Sequence, residues 1–402
     1  MSELGIEKSR QALALVPEGD VWAFVSREGS DPSGKLVFDA AVSGDAAFLL
    51  APGRGVLALV ANYDEGHVAR MGVFDEIRAY DRSFADAFQA WLRELAPARV
   101  HLNYSEGDVL CDGLRHGQYL RVQRLLADAL PAAEIVSSEP LLREVRGVKT
   151  PEEVARLRVA IDGSVRLYER IRGELRVGMS EREIQARMKE IAAELGFGVH
   201  LGDYGGPLVC INRIGLAHRA PGDDRLEPGD LLILDHALEH QGYHSDLART
   251  IYVPHDGETE PPAAERAAFA SAKQAIEAAF AVLRPGVRGH EVDAAARAVH
   301  LANGYPEISH ATGHQIGRHV HDGGAILGPT WERYGQAPYG EIRAGNVFTI
   351  EPTILMSPDP SMLVEENVLV TEDGADWLSE RQLELWMAGG DPSDARDASV
   401  RG

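Results

Sequence analysis

Carboxylates stand among aliphatic residues in several stretches of this chain, where an ionised group is costly. In NVFTIEPTILMSPDPSMLVEENVLV (residues 346–370), Glu351, Glu365 and Glu366 interrupt two runs that read as β-strands joined by a proline-rich turn. A charged carboxylate inside a strand costs several kcal/mol unless it is paired, hydrogen-bonded or metal-bound. LDHALEHQGYHSDLART places Asp235 at the end of an aliphatic strand and Asp246 eleven residues later, a spacing that lets a hairpin return the second carboxylate beside the first. SHATGHQIGRHVHDGG adds His310, His314, His319 and His321 around glycines, and twelve of the fifteen histidines fall between residues 200 and 321. Four carboxylates and an imidazole gathered together would repel and raise one another's pKa unless cations intervene. Two divalent ions would resolve this, and an oxygen-rich set with one nitrogen suits Mn²⁺, Co²⁺, Zn²⁺ or Fe²⁺ better than soft Cu⁺. Singly, each residue has a plainer role: Asp246 a turn residue, His314 a core histidine, Glu366 a solvated neighbour. Their joint arrangement favours the metal.

Two kinds of scaffold must position these groups. A chain of 402 residues with 45% hydrophobic composition is long enough for two or three domains. The first third alternates strand and helix: VWAFVS, VLALVAN, RVHLNYS and AEIVSS read as strands, and GQYLRVQRLLADAL as a helix. Another helix, in SFADAFQAWLRELAP, puts Phe84, Phe88, Trp91, Leu92 and Leu95 on one face behind Ser83 as cap. This predicts an α/β domain over residues 1–145. A new unit opens at about residue 146, with a long helix beginning at Pro151 behind a capping box from Thr150 to Glu153.

The second unit, residues 146–402 with a polar tail after about 390, contains a repeat. RVGMSEREIQARMKEIAAELGF (176–197) matches RPGVRGHEVDAAARAVHLANGY (284–305) at a constant offset, and LEPGDLLILD (226–235) matches IRAGNVFTIE (342–351). Asp235 and Glu351 thus occupy matching strand ends, and the offset grows by eight residues between the two matches. Two α+β halves facing each other across a pseudo-twofold would bring these carboxylates together.

A formal net charge of −22 argues against nucleic-acid or anionic-membrane partners. No apolar run approaches the roughly 18 residues of a membrane helix, and no basic-then-apolar leader opens the sequence. Only Cys111 and Cys210 are present, so neither a disulfide framework nor a CxxC knuckle exists. The expectation is a soluble, unexported protein of a reducing cytoplasm.

The same residues, in this order and spacing, resemble the dimetal site of the pita-bread metallopeptidase family of creatinases, aminopeptidase P and prolidases. SDLART, TGHQIG, TIEP and VEENVLVTEDG are similar to its motifs. The resemblance implies Asp235, Asp246, His314, Glu351 and Glu365 as ligands of two divalent ions per subunit, with Mn²⁺ first and Co²⁺, Zn²⁺ or Fe²⁺ as alternatives. The first 145 residues, NYSEGDVLCDGLRHGQYL in particular, resemble the small α/β domain of prolidases and creatinases. The implied fold is therefore an α/β N-terminal domain followed by an α+β pita-bread catalytic domain with an internal pseudo-twofold repeat. The implied reaction is hydrolysis of Xaa-Pro dipeptides by a metal-bridging hydroxide, with Glu351 as general base and proton shuttle. His321 and His218 would assist catalysis, and His218, His310 and His321 would line the substrate cleft. A homodimer is implied as well. Glu351 and Glu365 are read as second-half counterparts of Asp235 and Asp246, and Glu366 as a bystander. His236, His240, His244 and His319 match nothing assignable.

Departures from the family also stand out. Leu355 and Leu363 replace a Tyr and an Arg of many members, a paired change expected to make an apolar wall near the metals. The extra residues between His321 and Glu351 carry Trp331, Tyr334 and Tyr339 and could cap the cleft. An aminopeptidase acting on longer Xaa-Pro peptides and a catalytically inactive binding protein of the same fold remain the alternatives. A creatinase-like hydrolase fits less well, because that branch does not keep the five ligands.

Overall fold

A computed structural model gives the fold, and it describes residues 3–200, 202, 205–215, 219–356 and 360–389. The polar tail after 390 lies outside the described residues, as does His218. The chain divides into two compact units, Met1–Glu152 and Glu153–Gly402.

In the first unit, strands β1 (Val21–Arg27), β2 (Asp45–Ala51), β3 (Gly55–Ala61), β4 (Glu76–Tyr80), β5 (Arg99–Leu102) and β6 (Glu134–Ser137) form one sheet in the order β4-β3-β2-β1-β5-β6. Its middle strands β1, β2 and β3 are almost continuously apolar because both faces are covered. Trp22 and Phe24 point into one core with Phe38 and Phe48, while Ala23 and Val25 point into the other with Phe88 and Trp91. Helices α1 (Glu3–Leu15), α2 (Pro32–Phe38), α3 (Asn62–Met71) and α6 (Glu139–Gly147) supply the first core, and α4 (Phe84–Leu95) and α5 (His116–Ala129) the second. Ser83 caps α4 by accepting from Asp86 N, as expected. Helices α1, α2, α3 and α6 and strands β2 and β4 were not expected from the sequence.

The second unit begins with α7 (Pro151–Glu174) and α8 (Glu181–Leu195), and later carries α9 (Ala263–Val282) and α10 (Gly289–Ala302). Strands β7 (Gly198–Val199), β8 (Leu208–Ile211), β9 (Leu231–His236), β10 (Leu238–His240), β11 (Tyr243–His244) and β12 (Leu247–Tyr252) belong to its first half. Strands β13 (Val347–Ile350), β14 (Glu366–Val370), β15 (Ala375–Trp377) and β16 (Trp386–Met387) follow. They build sheets ordered β16-β12-β9-β8, β13-β14-β15 and β11-β10-β7.

The repeat is reproduced bond by bond. At the start of each of α8 and α10 a glutamate side chain accepts from the cap residue's N–H, Glu183 from Ser180 and Glu291 from Arg288, and each helix is followed by a positive-φ glycine, Gly196 and Gly304. Gly178 N donates to Leu226 O, and Gly286 N to Ile342 O. The tight turns before β9 and β13 are matched as well. Gly229 and Gly345, both at positive φ, donate to Val253 and Val370, while the Asp230 and Asn346 side chains accept from the backbone at Glu227 and Arg343. Equal bonding at equal positions is the signature of two halves related by a pseudo-twofold.

Candidate metal centre

Asp235 lies near the end of β9, and its cross-strand partner in β12 is Ala248. The register continues into β10 and β11, whose tip is the two-residue turn Gln241-Gly242 with φ of 51° and 80°. Two successive positive φ values are what a type I′ hairpin turn demands. The hairpin anticipated from the spacing therefore forms, and it returns Asp246 to the face that carries Asp235. Asn367 grips the Asp246 backbone from both sides: its Oδ1 accepts from Asp246 N at 3.3 Å and its Nδ2 donates to Asp246 O at 2.5 Å.

Residues 312–316 run antiparallel to β13. Thr349 N donates to His314 O, Ile316 N to Val347 O and Glu351 N to Thr312 O. Glu351 follows β13 directly, and Glu365 precedes β14 with its N–H on Ala248 O at 3.1 Å. Ligand atoms of Asp246, His314 and Glu365 all lie within 4.8 Å of one another. His314 Nε2 is 3.5 Å from Asp246 Oδ2 and also 3.5 Å from Glu351 Oε1. Asp235 is near enough to act electrostatically on Asp246, Glu351 and Glu365. All five residues thus share one site.

Among the described residues, none of the four carboxylates forms an ion pair with a lysine or arginine. Burial pushes the Asp235 carboxyl up to about 7. Burial, followed by mutual repulsion, raises Asp246, Glu351 and Glu365 well above the carboxylate range. Desolvation, with His321 next in effect, lowers His314 to about 3, so its imidazole is a neutral lone-pair donor. Four crowded oxygen donors and one neutral nitrogen, with no lysine or arginine paired to them among the described residues, fit a hard-to-borderline divalent cation.

Of the accessory histidines, His321 is exposed and its ring centroid is 4.3 Å from that of His314. His310 is half-buried, near enough to act on His314, and its Nδ1 is 2.7 Å from Ala311 O. Its backbone is braced from α10: Arg297 donates to Ile308 O and His310 O, while Asp293 takes the Arg297 Nε–H and both donors of Thr312. The extra loop adds to this brace. Trp331 lies over Arg297, and Tyr334 Oη accepts from Ala311 N at 3.0 Å.

Several readings change. By strand register, Leu231 pairs with Tyr252 and its counterpart Val347 with Leu369, so the position matching Glu365 is Ala248, and the one matching Asp246 is Leu363. Glu365 is not the image of Asp246, because the two carboxylates sit two residues apart along equivalent strands. Glu366 is not a solvated bystander: it is fully buried and ion-paired to Arg249. The two leucines do not behave as a pair. Leu363 is 7% exposed and packs with Cys210, Ile233 and Ala248, whereas Leu355 is 38% exposed. His236 is fully buried against Tyr168, which makes it structural.

Sequence reasoning passed over Tyr168, whose hydroxyl donates to Leu234 O at 3.0 Å and Leu247 O at 2.5 Å. It lies in the middle of α7, where nothing local distinguishes it from core filling. Arg249 could have been noticed as a lone cation in the apolar run of β12.

Residues 155–372 match the model of Metallopeptidase family M24, and the chain belongs to that family. It is 28% identical over 253 residues to a Xaa-Pro dipeptidase of Pyrococcus horikoshii, covering 63% of this chain and 68% of the relative. A probable dipeptidase PepE of Mycobacterium tuberculosis is 32% identical over 270 residues, 62% of this chain and 63% of the relative. In three dimensions the chain is similar to an X-Pro aminopeptidase from Thermotoga maritima, with a TM-score of 0.74 at 21% identity, covering 94% of this chain and 100% of the other. The fold is accordingly an α/β unit followed by an α+β pita-bread unit with an internal repeat.

Proposed function

We propose that the protein is a metal-dependent dipeptidase that hydrolyses the bond before proline in Xaa-Pro dipeptides. The observation that carries this reading is the convergence of Asp246, Glu351 and Glu365 on the neutral imidazole of His314, with Asp235 near enough to act on all three carboxylates. The names of its sequence relatives, a Xaa-Pro dipeptidase and a probable dipeptidase, support the substrate class. Asp235, Asp246, His314, Glu351 and Glu365 would hold two divalent ions, Mn²⁺ foremost. When bound, such ions would supply an acidified water and polarise the scissile carbonyl.

Glu351 is the candidate general base and proton shuttle. It sits beside His314, and burial, followed by repulsion from Asp235, raises its carboxyl well above the usual carboxylate range, as suits a group that takes up a proton. His321 is exposed next to His314 and would donate to the oxygen that gains charge at the scissile carbonyl. His310, fixed by Arg297 and by the loop bearing Trp331 and Tyr334, would contact the substrate. His218 is assigned to catalysis and the same cleft on resemblance alone. A homodimer working in a reducing cytoplasm belongs to the same reading, in keeping with two buried cysteines outside any disulfide.

A substrate series from Ala-Pro to an Ala-Pro-headed pentapeptide, assayed with Mn²⁺ and with chelator, tests the proposal. Metal-dependent cleavage confined to the dipeptide is the expected result. Turnover that rises with length would instead indicate an aminopeptidase. Metal bound without cleavage of any member would indicate a binding protein.

A further inference from the structure

Arg249 and Glu366 meet deep inside the second unit, with Nη2 and Oε2 3.0 Å apart and both side chains 1% exposed. Arg249 pairs across its sheet with Leu234, and by the β13–β14 register Glu366 pairs with Ile350. Leu234 and Ile350 are the matching residues immediately before Asp235 and Glu351. Arg249 and Glu366 therefore hold equivalent positions in the two halves, and equivalent positions that touch must lie at the pseudo-twofold itself. The contact joins β12 to β14, the strands that begin just after Asp246 and Glu365.

The arginine's other Nη donors are spent on backbone. Nη1 donates to Glu365 O at 2.6 Å and Ala248 O at 3.0 Å, and Nη2 to Glu380 O at 2.8 Å. Glu366 is equally engaged, accepting from Ser379 Oγ at 2.6 Å and Gln382 N at 2.9 Å. Gln382 in turn donates to Thr250 O at 2.8 Å. One peptide carbonyl of a candidate ligand, Glu365, is thus held by a cation whose charge is matched only one residue further along the strand.

We propose that the Arg249–Glu366 pair is the positioning element of the metal centre: it fixes the spacing between the strands carrying Asp246 and Glu365, and Glu366 cancels a buried positive charge that would otherwise oppose the cations. This rests on the metal-binding reading of the five-residue cluster. A buried ion pair left with one partner is far worse than none. Loss of Glu366 alone should therefore harm metal binding more than loss of both charges.

The experiment is an Mn²⁺ binding isotherm on metal-stripped full-length protein, with circular dichroism confirming the fold of each variant. Glu366→Gln should weaken Mn²⁺ affinity by about 10- to 100-fold, the range found for groups that orient metal ligands. Adding Arg249→Met to Glu366→Gln should recover a large part of that loss, an effect a merely structural role would not produce. A folded Glu366→Gln variant with parental affinity overturns the inference, as does a double variant that binds no better than the single. If Glu366→Gln does not fold, Arg249→Lys serves: it keeps the charge and loses the fork, so weakened Mn²⁺ binding supports the proposal and parental affinity overturns it. A parent protein that binds no Mn²⁺ would instead refute the metal-binding reading on which this rests.

Discussion

Tyr168 spends one hydroxyl on two carbonyls, and those carbonyls belong to Leu234 and Leu247, the neighbours of Asp235 and Asp246. Its phenol is fully buried, and desolvation holds its pKa well above the usual value, so it stays a neutral donor. Tyr168→Phe keeps the ring and removes the hydroxyl's bonds to both carbonyls, which should cost about 0.5–1.5 kcal/mol in denaturant unfolding. Mn²⁺ affinity should fall with it, because the two strand ends are then less constrained. A second contrast separates ligand from accessory. His314→Ala or Asp246→Ala should abolish both metal binding and turnover, whereas His321→Ala should retain metal and lose about 100-fold in kcat. Metal analysis alongside steady-state kinetics on each variant checks this directly. Equal metal loss in His321→Ala would move that residue into the ligand set.

Two glycines show how elements are placed to deliver these side chains. Gly242 supplies one positive φ in the turn that brings Asp246 back toward Asp235. Gly313 matters through contact: a Cβ there would stand 2.0 Å from Thr349 O, so any side chain forces residues 312–316 off β13. Gly313→Ala should therefore displace His314 and weaken Mn²⁺ binding severely while circular dichroism stays close to parental. Unchanged affinity would mean that His314 does not depend on this strand. Much of this arrangement was legible beforehand. The capped helix over residues 84–95, the Asp235–Asp246 hairpin and the 176–197/284–305 repeat follow from short-range patterning that tertiary packing reinforces. The depth of Glu366 was not legible, because its partner Arg249 lies 117 residues away and only the strand register brings them together. Leu355 and Leu363 were linked by resemblance, yet only one of them is buried.

At the scale of the whole second unit, the pseudo-twofold explains why one site results rather than two. Register places Cys210 opposite Ile233, as His314 stands opposite Thr349, so Cys210 is the image of His314. Leu363 and Ala248 are the images of Asp246 and Glu365. The apolar cluster of Cys210, Ile233, Ala248 and Leu363 is thus the repeat's counterpart of the candidate metal cluster, with every ligand replaced. Asp235 and Glu351, images of each other, complete the centre. Gathering the carboxylates has a linkage consequence. In the metal-free fold all four have raised pKa values, so their favourable contribution is complete below about pH 4 and is lost as pH rises through the folded values. For Asp235 that loss centres at about 7, and the other three carboxyls shift in the same direction. Between pH 7 and 9, above the range in which unfolded histidines titrate, the metal-free protein should melt at progressively lower temperature, and saturating Mn²⁺ should flatten the trend. A Tm that rises over this window without metal would contradict the electrostatics described. The most direct test of the central claim is to strip one preparation of metal, reload it with Mn²⁺, and measure elemental content and Ala-Pro hydrolysis on the same samples. The reloaded protein should hold two ions per chain, and turnover should appear only with them. Full Ala-Pro hydrolysis by the stripped protein would contradict the claim.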